Sequence, residues 1–283
     1  MRLGTFARLT RVEHSIMLVI AVIAAELIVG GKLPSLPIFA LSLITPVAVS
    51  SAAFAINDYL DIEVDRENGK RRPLATGEAA PRDALIITAA GLVVGLSASL
   101  LINAYAFAIA VVFGLLSLLY SYRLKGMALL GNAYVGFSMA IPFIFGSYVV
   151  SEKINTGIIL ISLMIFLSGT AREVHGAIRD LRGDTKARKL RTLPIVIGVF
   201  WSSVFALLLY IVAIAISAFL FASVSPFRGN LFFGAPVLLS DLMLAYVGMG
   251  YLARPGRSFR NSSRNISLLA MGIALVAILL APL

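Results

Sequence analysis

The stretch NDYLDIEVDRENGKRRPLATG, residues 57–77, brings five carboxylates and four basic side chains together in a chain that is otherwise strongly apolar. Of the 283 residues, 59% are hydrophobic and 13% are charged, and the mean hydropathy is +0.95. The apolar segments around the stretch are about 20 residues long, which suits helices that cross a bilayer and exceeds the strands of a membrane barrel. The sequence therefore predicts an all-α integral membrane protein, with this charged stretch at one edge of the membrane.

The basic residues give the predicted spans a consistent topology. Of the 24 lysines and arginines, all except Lys32, Lys153 and Arg228 fall on one side of the membrane. Because short loops rich in Lys and Arg stay in the cytoplasm, we predict a protein of the cell membrane with its N-terminus inside and its C-terminus outside. The net charge of +10 is then a result of this topology, and it does not indicate a nucleic-acid partner. The basic inner surface would also attract anionic membrane lipids. The nine predicted spans are residues 15–31, 36–56, 83–102, 104–121, 128–150, 154–171, 194–222, 231–253 and 265–281.

Two of the predicted cytoplasmic loops, residues 57–82 and 172–193, are long and acidic. Four spans separate them, which indicates two four-helix halves plus a ninth helix around a central cavity. Residues 1–283 are predicted to form a single transmembrane domain, with both loops at its active site. The chain has no Cys, so oxygen and imidazole are the side-chain metal ligands that remain. The two loops hold nine of the 14 acidic residues: Asp58, Asp61, Glu63, Asp65, Glu67, Glu78, Glu173, Asp180 and Asp184.

Polar residues in both loops recur at a spacing of four. On a helix, Asn57, Asp61 and Asp65 would lie along one face with about 40° of drift per step, and Asp180 and Asp184 repeat the spacing. A row of like charges needs a cation to neutralise it, and oxygen ligands suit Mg²⁺. Two rows that face each other predict a clamp for a diphosphate between metal ions. The alternative is a set of solvated charges that pair locally with arginines: Arg66, Arg179 and Arg182.

Basic side chains close to the carboxylates favour the diphosphate interpretation. Arg71 and Arg72 follow the first acidic row directly, and arginine forks match phosphate oxygens. Lys125, at the end of the fourth predicted span, and Arg172, at the end of the sixth, add positive charge at the same membrane depth. We therefore predict a binding site for an anionic substrate at the cytoplasmic edge.

These motifs resemble those of the UbiA family of intramembrane prenyltransferases. Residues 57–77 match an Asn-Asp-x-x-Asp-x-x-x-Asp pattern followed by Arg-Pro-Leu and Gly. The stretches YSYRLKGMALLGN, residues 120–132, and REVHGAIRDLRGDTKARKLRTLPIVIG, residues 172–198, are similar to further family motifs. Within the family, the second acidic motif looks most like that of the archaeal digeranylgeranylglyceryl phosphate synthases. Gly176 and Ala177 depart from it, because they stand where those enzymes have Lys-Asp.

The resemblance implies Mg²⁺-dependent transfer of a geranylgeranyl group from its diphosphate to the free hydroxyl of geranylgeranylglyceryl phosphate, in ether membrane lipid biosynthesis. An aromatic acceptor such as 4-hydroxybenzoate is the alternative within the enzyme class. A transporter is a more distant alternative. A transporter is expected to carry charged residues near the middle of the membrane, whereas the charged residues of this chain cluster at the cytoplasmic ends of the predicted spans. The resemblance implies that the diphosphate is bound by Arg72, Lys125 and Arg172. It implies that the metal ligands are Asn57, Asp61, Asp65, Asp180 and Asp184. The implied catalytic residues are Lys125 and the four aspartates among these metal ligands.

The site for the acceptor is less defined by the sequence. Arg8 and Arg11 are candidates, and the alternative for both is a role as topology signals. Asp241 is a candidate because a carboxylate within a span is costly unless it has a function. The sequence predicts no oligomeric state. Four arginines that precede the ninth span are interpreted first as topology signals and second as a site for the acceptor phosphate: Arg254, Arg257, Arg260 and Arg264.

Overall fold

A computed structural model describes residues 1–67, 69–183, 192–253 and 256–282. Within these ranges every regular element is helical, and nine helices are long and apolar enough to cross a membrane. The predicted fold class is therefore confirmed, and the chain is a multi-pass membrane protein. The helices are α1 Leu3–Thr10, α2 Val12–Gly30, α3 Leu36–Leu60, α4 Ile62–Glu67, α5 Pro81–Ile102, α6 Ala104–Tyr122, α7 Leu130–Val150, α8 Thr156–Gly183, α9 Leu193–Ser223, α10 Leu231–Leu252 and α11 Arg257–Leu280, with a 3₁₀ turn at Leu124–Gly126.

The helices extend beyond the predicted spans at their charged ends. α3 continues to Leu60 and leads into α4, and α8 continues to Gly183, twelve residues past its predicted end at 171. α11 begins at Arg257, eight residues before the predicted start of the ninth span at residue 265. Hydropathy marks where the apolar residues end, whereas polar side chains at the water edge do not interrupt helical hydrogen bonding. Residues 57–67 and 172–183, predicted as parts of loops, are thus largely helical.

The spans pack as a closed bundle. Each span packs against the next one in the chain, and α11 contacts both α2 and α8. α7 and α8 are the most buried spans, and glycine allows their backbones to approach, since a Cβ atom on Gly136 would lie 2.5 Å from the carbonyl oxygen of Phe166. Gly91 and Gly95 of α5 lie against α3 in the same way, as their GxxxG spacing predicts.

A short helix that the sequence did not predict precedes the first span. α1 packs against α3 and buries Leu9, while Leu3 and Phe6 are exposed. Leu9 joins a cluster with Leu74 and Ala79 from the loop that follows the first acidic motif. The N-terminal helix and this loop are therefore packed together at the end of α3.

Candidate functional site

The first acidic row lies along one helical face at the end of α3. Helical hydrogen bonding continues across the turn at Asp61: the amide of Asp61 donates to the carbonyl oxygen of Asn57 at 3.1 Å, and the amide of Asp65 donates to that of Asp61 at 2.8 Å. Asp61 and Asp65 are 9% and 1% exposed. The predicted row is thus present, and it lies beneath basic side chains that cover it.

Arg72 is the centre of an ion-pair network on this row. Its Nη1 atom lies 2.6 Å from Oδ1 of Asp58, 3.1 Å from Oδ2 of Asp65 and 3.8 Å from Oδ2 of Asp61. Nζ of Lys70 lies 3.2 Å from Oδ1 of Asp65. Three carboxylates therefore converge on one guanidinium nitrogen.

The loop that carries Arg72 is fixed by packing and hydrogen bonds. Leu74 is 2% exposed and anchors the loop in the cluster beneath α1. The amide of Thr76 donates to the carbonyl oxygen of Arg72 at 2.9 Å, and the amide of Ala79 donates to that of Pro73 at 3.1 Å. Gly77 follows with a φ of +78°, a conformation that glycine adopts without the strain of a side chain. The loop thus presents Arg72 to the row in one orientation.

Lys125 reaches the same row from the turn between α6 and α7. Its Nζ atom donates to Oδ1 of Asn57 at 3.2 Å and forms an ion pair with Asp61. The 3₁₀ turn lies directly against the start of α7, because a Cβ atom on Gly131 would be 3.1 Å from the carbonyl oxygen of Leu124. Glycine at this position allows the turn to point Lys125 at α3.

The second acidic motif lies on the extended end of α8. Nη1 of Arg172 donates to Oε1 of Glu173 at 2.7 Å. Arg179 donates to both carboxylate oxygens of Asp180, at 2.9 Å and 3.0 Å, so this aspartate makes the local ion pair that the alternative interpretation predicted. Asp184 lies outside the described residues.

A cavity of about 340 Å³ brings the two motifs together. Lys70 and Arg72 line it from the first motif, Lys125 from the turn between α6 and α7, and Arg172 and Asp180 from α8. Asp61 and Asp65 stand behind Arg72 and Lys125, to which they are paired. The predicted cationic ligands therefore meet at one cavity, and the carboxylates of the first row hold two of them in place.

The two residues that differ from the second motif of the archaeal synthases, at positions 176 and 177, also lie in the cavity wall. Both Gly176 and Ala177 line the cavity. A Cβ atom on Gly176 would meet only Nη2 of Arg179, at 3.9 Å, so a side chain at this position has room. The missing Lys-Asp pair therefore leaves space on the α8 side.

The structure separates the three acceptor candidates. Arg11 joins the network, since its Nη2 atom lies 2.8 Å from Oδ1 of Asp58 and its guanidinium lies 4.6 Å from the ring centroid of Phe54. Arg8 is exposed and pairs with Glu78. Asp241 accepts a hydrogen bond from Ser217 between α9 and α10, and it does not line the cavity. Arg11 alone of the three is connected to the ion-pair network of the first motif.

The oxygen ligands of the first row are arranged around cations. Among the residues that the structure describes, no three carboxylate or imidazole side chains form a ready-made metal cluster. Oxygens of Asn57 and Asp61 nevertheless share Nζ of Lys125, and three carboxylates share Nη1 of Arg72. Mg²⁺ prefers such oxygen donors, with water and phosphate oxygens in its other positions. The donor set therefore fits Mg²⁺ once these basic side chains turn to an anionic ligand.

Two members of the network had no predicted role. Asp58 is 2% exposed and binds both Arg11 and Arg72, and Lys70 pairs with Asp65. Asp58 lies about 100° around the helix from Asn57, so an argument from the spacing of four passes over it. The feature of the sequence that could have identified Asp58 as a site residue is its position inside the acidic motif.

Within the described ranges, nine helices long enough to cross a membrane and a cavity lined by cationic side chains are suited to an enzyme that acts on anionic substrates in a membrane. A model of the UbiA prenyltransferase family matches residues 18–269. The chain belongs to this family and is a prenyltransferase, which confirms the resemblance of its motifs.

Individual relatives agree with this family. The chain is 34% identical over 269 residues to the digeranylgeranylglyceryl phosphate synthase of Archaeoglobus fulgidus, an alignment that covers 95% of this chain and 92% of that protein. A solved structure from work on digeranylgeranylglyceryl phosphate synthase in membranes matches with a TM-score of 0.82 and 28% identity, over 99% of this chain and 98% of that one. A UbiA homologue from Archaeoglobus fulgidus bound to GPP and Mg²⁺ shares the fold, with a TM-score of 0.66 and 19% identity, over 97% of this chain and 99% of that one.

Proposed function

We propose that this protein transfers a geranylgeranyl group from geranylgeranyl diphosphate to the free hydroxyl of geranylgeranylglyceryl phosphate, a step of archaeal ether lipid synthesis. The observation that carries the proposal is the convergence of Arg72, Lys125 and Arg172 on one cavity at the edge of an apolar bundle. The name of the 34% identical relative supports the choice of substrates. The excess of basic residues on the side of both motifs supports a cavity that faces the cytoplasm.

The cationic side chains act on the leaving group. Breaking the bond between the allylic carbon and the diphosphate oxygen leaves a diphosphate that gains negative charge. Arg72, Lys125 and Arg172 would bind its oxygens where this charge develops, which stabilises the transition state. The acceptor oxygen then bonds to the allylic carbon, and the hydroxyl proton leaves with the diphosphate. When bound, Mg²⁺ would neutralise diphosphate charge, and its ligands would be Asn57, Asp61, Asp65 and Asp180, together with the predicted ligand Asp184.

The allylic carbon carries positive charge during the transfer and must be shielded from water. Tyr120 lines the cavity, and its ring stacks on that of Tyr134 at 4.3 Å between centroids. An aromatic face held in this way would stabilise a cationic carbon. The apolar spans would accommodate the isoprenoid chains and exclude water from the reacting carbon.

The ion pairs of the first row suggest how the substrate organises the site. Arg72 and Lys125 neutralise the buried carboxylates in the structure. A diphosphate would draw these side chains towards its own oxygens and free the carboxylates for the metal. Binding of the donor and binding of Mg²⁺ are therefore proposed to depend on each other.

Product analysis tests the proposal. Protein reconstituted in lipid is incubated with geranylgeranyl diphosphate and either geranylgeranylglyceryl phosphate or 4-hydroxybenzoate, with Mg²⁺ or EDTA, and the products are identified by mass spectrometry. We expect a doubly alkylated glycerol phosphate with Mg²⁺ and none with EDTA. A prenylated benzoate as the main product would replace the proposed acceptor, and no transfer to either acceptor by folded protein would overturn the proposal.

A matched pair of variants assigns the activity to the site. Asp61→Asn removes one carboxylate of the row, and Glu63→Gln removes an exposed carboxylate two residues away. We expect Asp61→Asn to lower kcat by about 100-fold or more, since it weakens both the metal site and the contact to Lys125. Glu63→Gln should retain the wild-type rate.

A further inference from the structure

Several polar atoms in the wall of the cavity are buried and lack hydrogen-bond partners among the residues that the structure describes. They are both ring nitrogens of His175, Nε of Arg172 and Oγ1 of Thr192, and all three residues line the cavity. Buried polar atoms in proteins are normally hydrogen-bonded, because an unmade bond costs free energy. These atoms therefore point to a polar ligand on this side of the cavity.

His175 is held by aromatic packing that leaves both of its nitrogens available. The residue is 4% exposed, and its ring stacks on that of Tyr251 with 3.9 Å between centroids and 6° between planes. Tyr210 packs at 5.6 Å from the same ring. The hydroxyl of Tyr251 is in turn hydrogen-bonded to Oγ of Ser263, at 3.1 Å. Aromatic packing thus fixes the imidazole in position, without a hydrogen bond to any residue in the described part of the chain.

The start of α11 places positive charge and hydroxyls beside this imidazole. Ser263, Arg264 and Ser267 line the cavity, and both serines are 2% exposed. Arg260, one turn earlier on the same helix, does not line it. Guanidinium and hydroxyl groups donate hydrogen bonds to phosphate oxygens, so this part of the cavity is suited to bind a phosphate group. We call His175, Tyr251, Ser263, Arg264 and Ser267 the α11 wall.

The α11 wall contains none of the residues assigned to the diphosphate. Arg72 and Lys125 come from the loop after α4 and from the turn between α6 and α7, and Arg172 lies on α8. The cation of the wall, Arg264, lies on α11. The proposed reaction brings two anionic substrates to one cavity, a prenyl diphosphate and a phosphate monoester. The diphosphate is assigned to Arg72, Lys125 and Arg172, so the second anion requires a cationic ligand of its own.

We propose that the α11 wall binds the phosphate monoester of the acceptor, with Arg264 as its cationic ligand and His175 as a hydrogen-bonding positioning residue. This inference rests on the proposed function. It also assigns a role to the room at Gly176, because a small residue beside His175 leaves space for the head group.

Steady-state kinetics with both substrates varied tests the wall. Arg264→Gln removes the charge, and His175→Phe removes both ring nitrogens while keeping a ring to stack on Tyr251. We expect each variant to raise KM for geranylgeranylglyceryl phosphate by about tenfold or more, with KM for geranylgeranyl diphosphate unchanged. Arg260→Gln, which removes the same charge one turn away, should leave both constants at wild-type values. Unchanged acceptor KM in Arg264→Gln, or a raised donor KM instead, would overturn the proposal.

A binding measurement without turnover separates this proposal from the proposed function. Thermal unfolding of the full-length protein in detergent is followed with sn-glycerol 1-phosphate or inorganic phosphate as probe. We expect glycerol phosphate to stabilise wild type, Arg260→Gln and Lys125→Met, and to lose its effect in Arg264→Gln. Inorganic phosphate should act through the same Arg264. An effect of either probe that depends on Lys125 and not on Arg264 would contradict an acceptor site. If wild type binds glycerol phosphate through Arg264 and yet transfers no prenyl group to the lipid acceptor, the proposed function fails while the phosphate site stands.

Discussion

Arg72 and Asp58 lie 2.6 Å apart and join the loop after the first motif to the end of α3. Oδ1 of the same aspartate lies 2.8 Å from Nη2 of Arg11, at the junction of α1 and α2. One carboxylate, 2% exposed, thus connects three segments of the chain around the candidate site. Asp58 thus positions two arginines, whereas its neighbours Asp61 and Asp65 are the residues for which we propose a further role as oxygen ligands.

Asp58→Asn should therefore damage both stability and activity. It removes the shared counter-charge of Arg11 and Arg72, whose side chains are 23% and 26% exposed, while Arg72 keeps its ion pair with Asp65. We therefore expect a cost of about 1–3 kcal/mol. We expect a lower unfolding temperature and a kcat/KM for the donor reduced by about tenfold or more. Thermal unfolding in detergent and initial rates measure the two effects. Glu67→Gln, an exposed carboxylate on α4, is the control, and equal behaviour of the two variants would contradict a positioning role for Asp58.

Lys125→Met tests the cation that the 3₁₀ turn supplies. Lys125 contacts Asn57 and Asp61 and lines the cavity, so its loss removes a proposed diphosphate ligand. We expect kcat to fall by about 100-fold, as for other groups that stabilise developing charge. Arg123→Gln removes an exposed basic residue two positions away and should keep the wild-type rate. A Lys125→Met enzyme as active as Arg123→Gln would exclude Lys125 from the reaction.

The fold was predictable because the bilayer imposes a length on every span. A helix needs about 20 apolar residues to cross, so hydropathy located all nine spans that the structure describes, and the spacing of four located Asn57, Asp61 and Asp65 on one face. The ends of α8 and α11 were less predictable, since they are polar and nothing in the bilayer sets their length. Their extension beyond the apolar run carries Asp180 and Arg264 to the cavity.

Contacts between distant segments were beyond the sequence argument. His175 and Tyr251 belong to α8 and α10, and only the packing of those helices brings their rings to 3.9 Å. Composition marks His175 as one of only two histidines, but neither composition nor periodicity predicts that Tyr251 is its partner. The same limit applies to Asp58, whose two arginine partners come from segments on either side of α3.

Gly91→Ala should separate α5 from α3. A Cβ atom on Gly91 would lie 2.6 Å from the carbonyl oxygen of Ala48, a backbone atom that cannot turn aside. We expect a loss of about 1–3 kcal/mol in unfolding free energy, as for other overpacked interfaces, measured by thermal or denaturant unfolding in detergent. Gly272→Ala in α11 is the matched control, because a Cβ atom there meets nothing within 4 Å. Equal stability of the two variants would contradict the close approach of α3 and α5.

The ion pair between Arg8 and Glu78 should make the docking of α1 depend on pH. The hydrogen bond from Arg8 lowers the pKa of Glu78 from its ordinary value of 4.5. Because the folded-state pKa is below the unfolded one, the pair contributes at and above pH 4.5, and its contribution is lost as pH falls through the lowered pKa. We therefore expect α1 to be held at neutral pH and to loosen in acid.

A spin label on α1 measures this loosening. The chain has no native Cys, and Gly4 is exposed with nothing within 4 Å of an added Cβ atom, so Gly4→Cys gives a single labelled site. We expect the label to become more mobile as the pH falls below 4.5, the ordinary pKa of Glu78, and to be mobile at neutral pH already when Glu78→Gln is added. Glu67→Gln should preserve the wild-type transition. If the Glu78→Gln protein keeps the same pH dependence, another group controls α1, and the ion pair with Arg8 does not hold the N-terminal helix against the loop of the first motif.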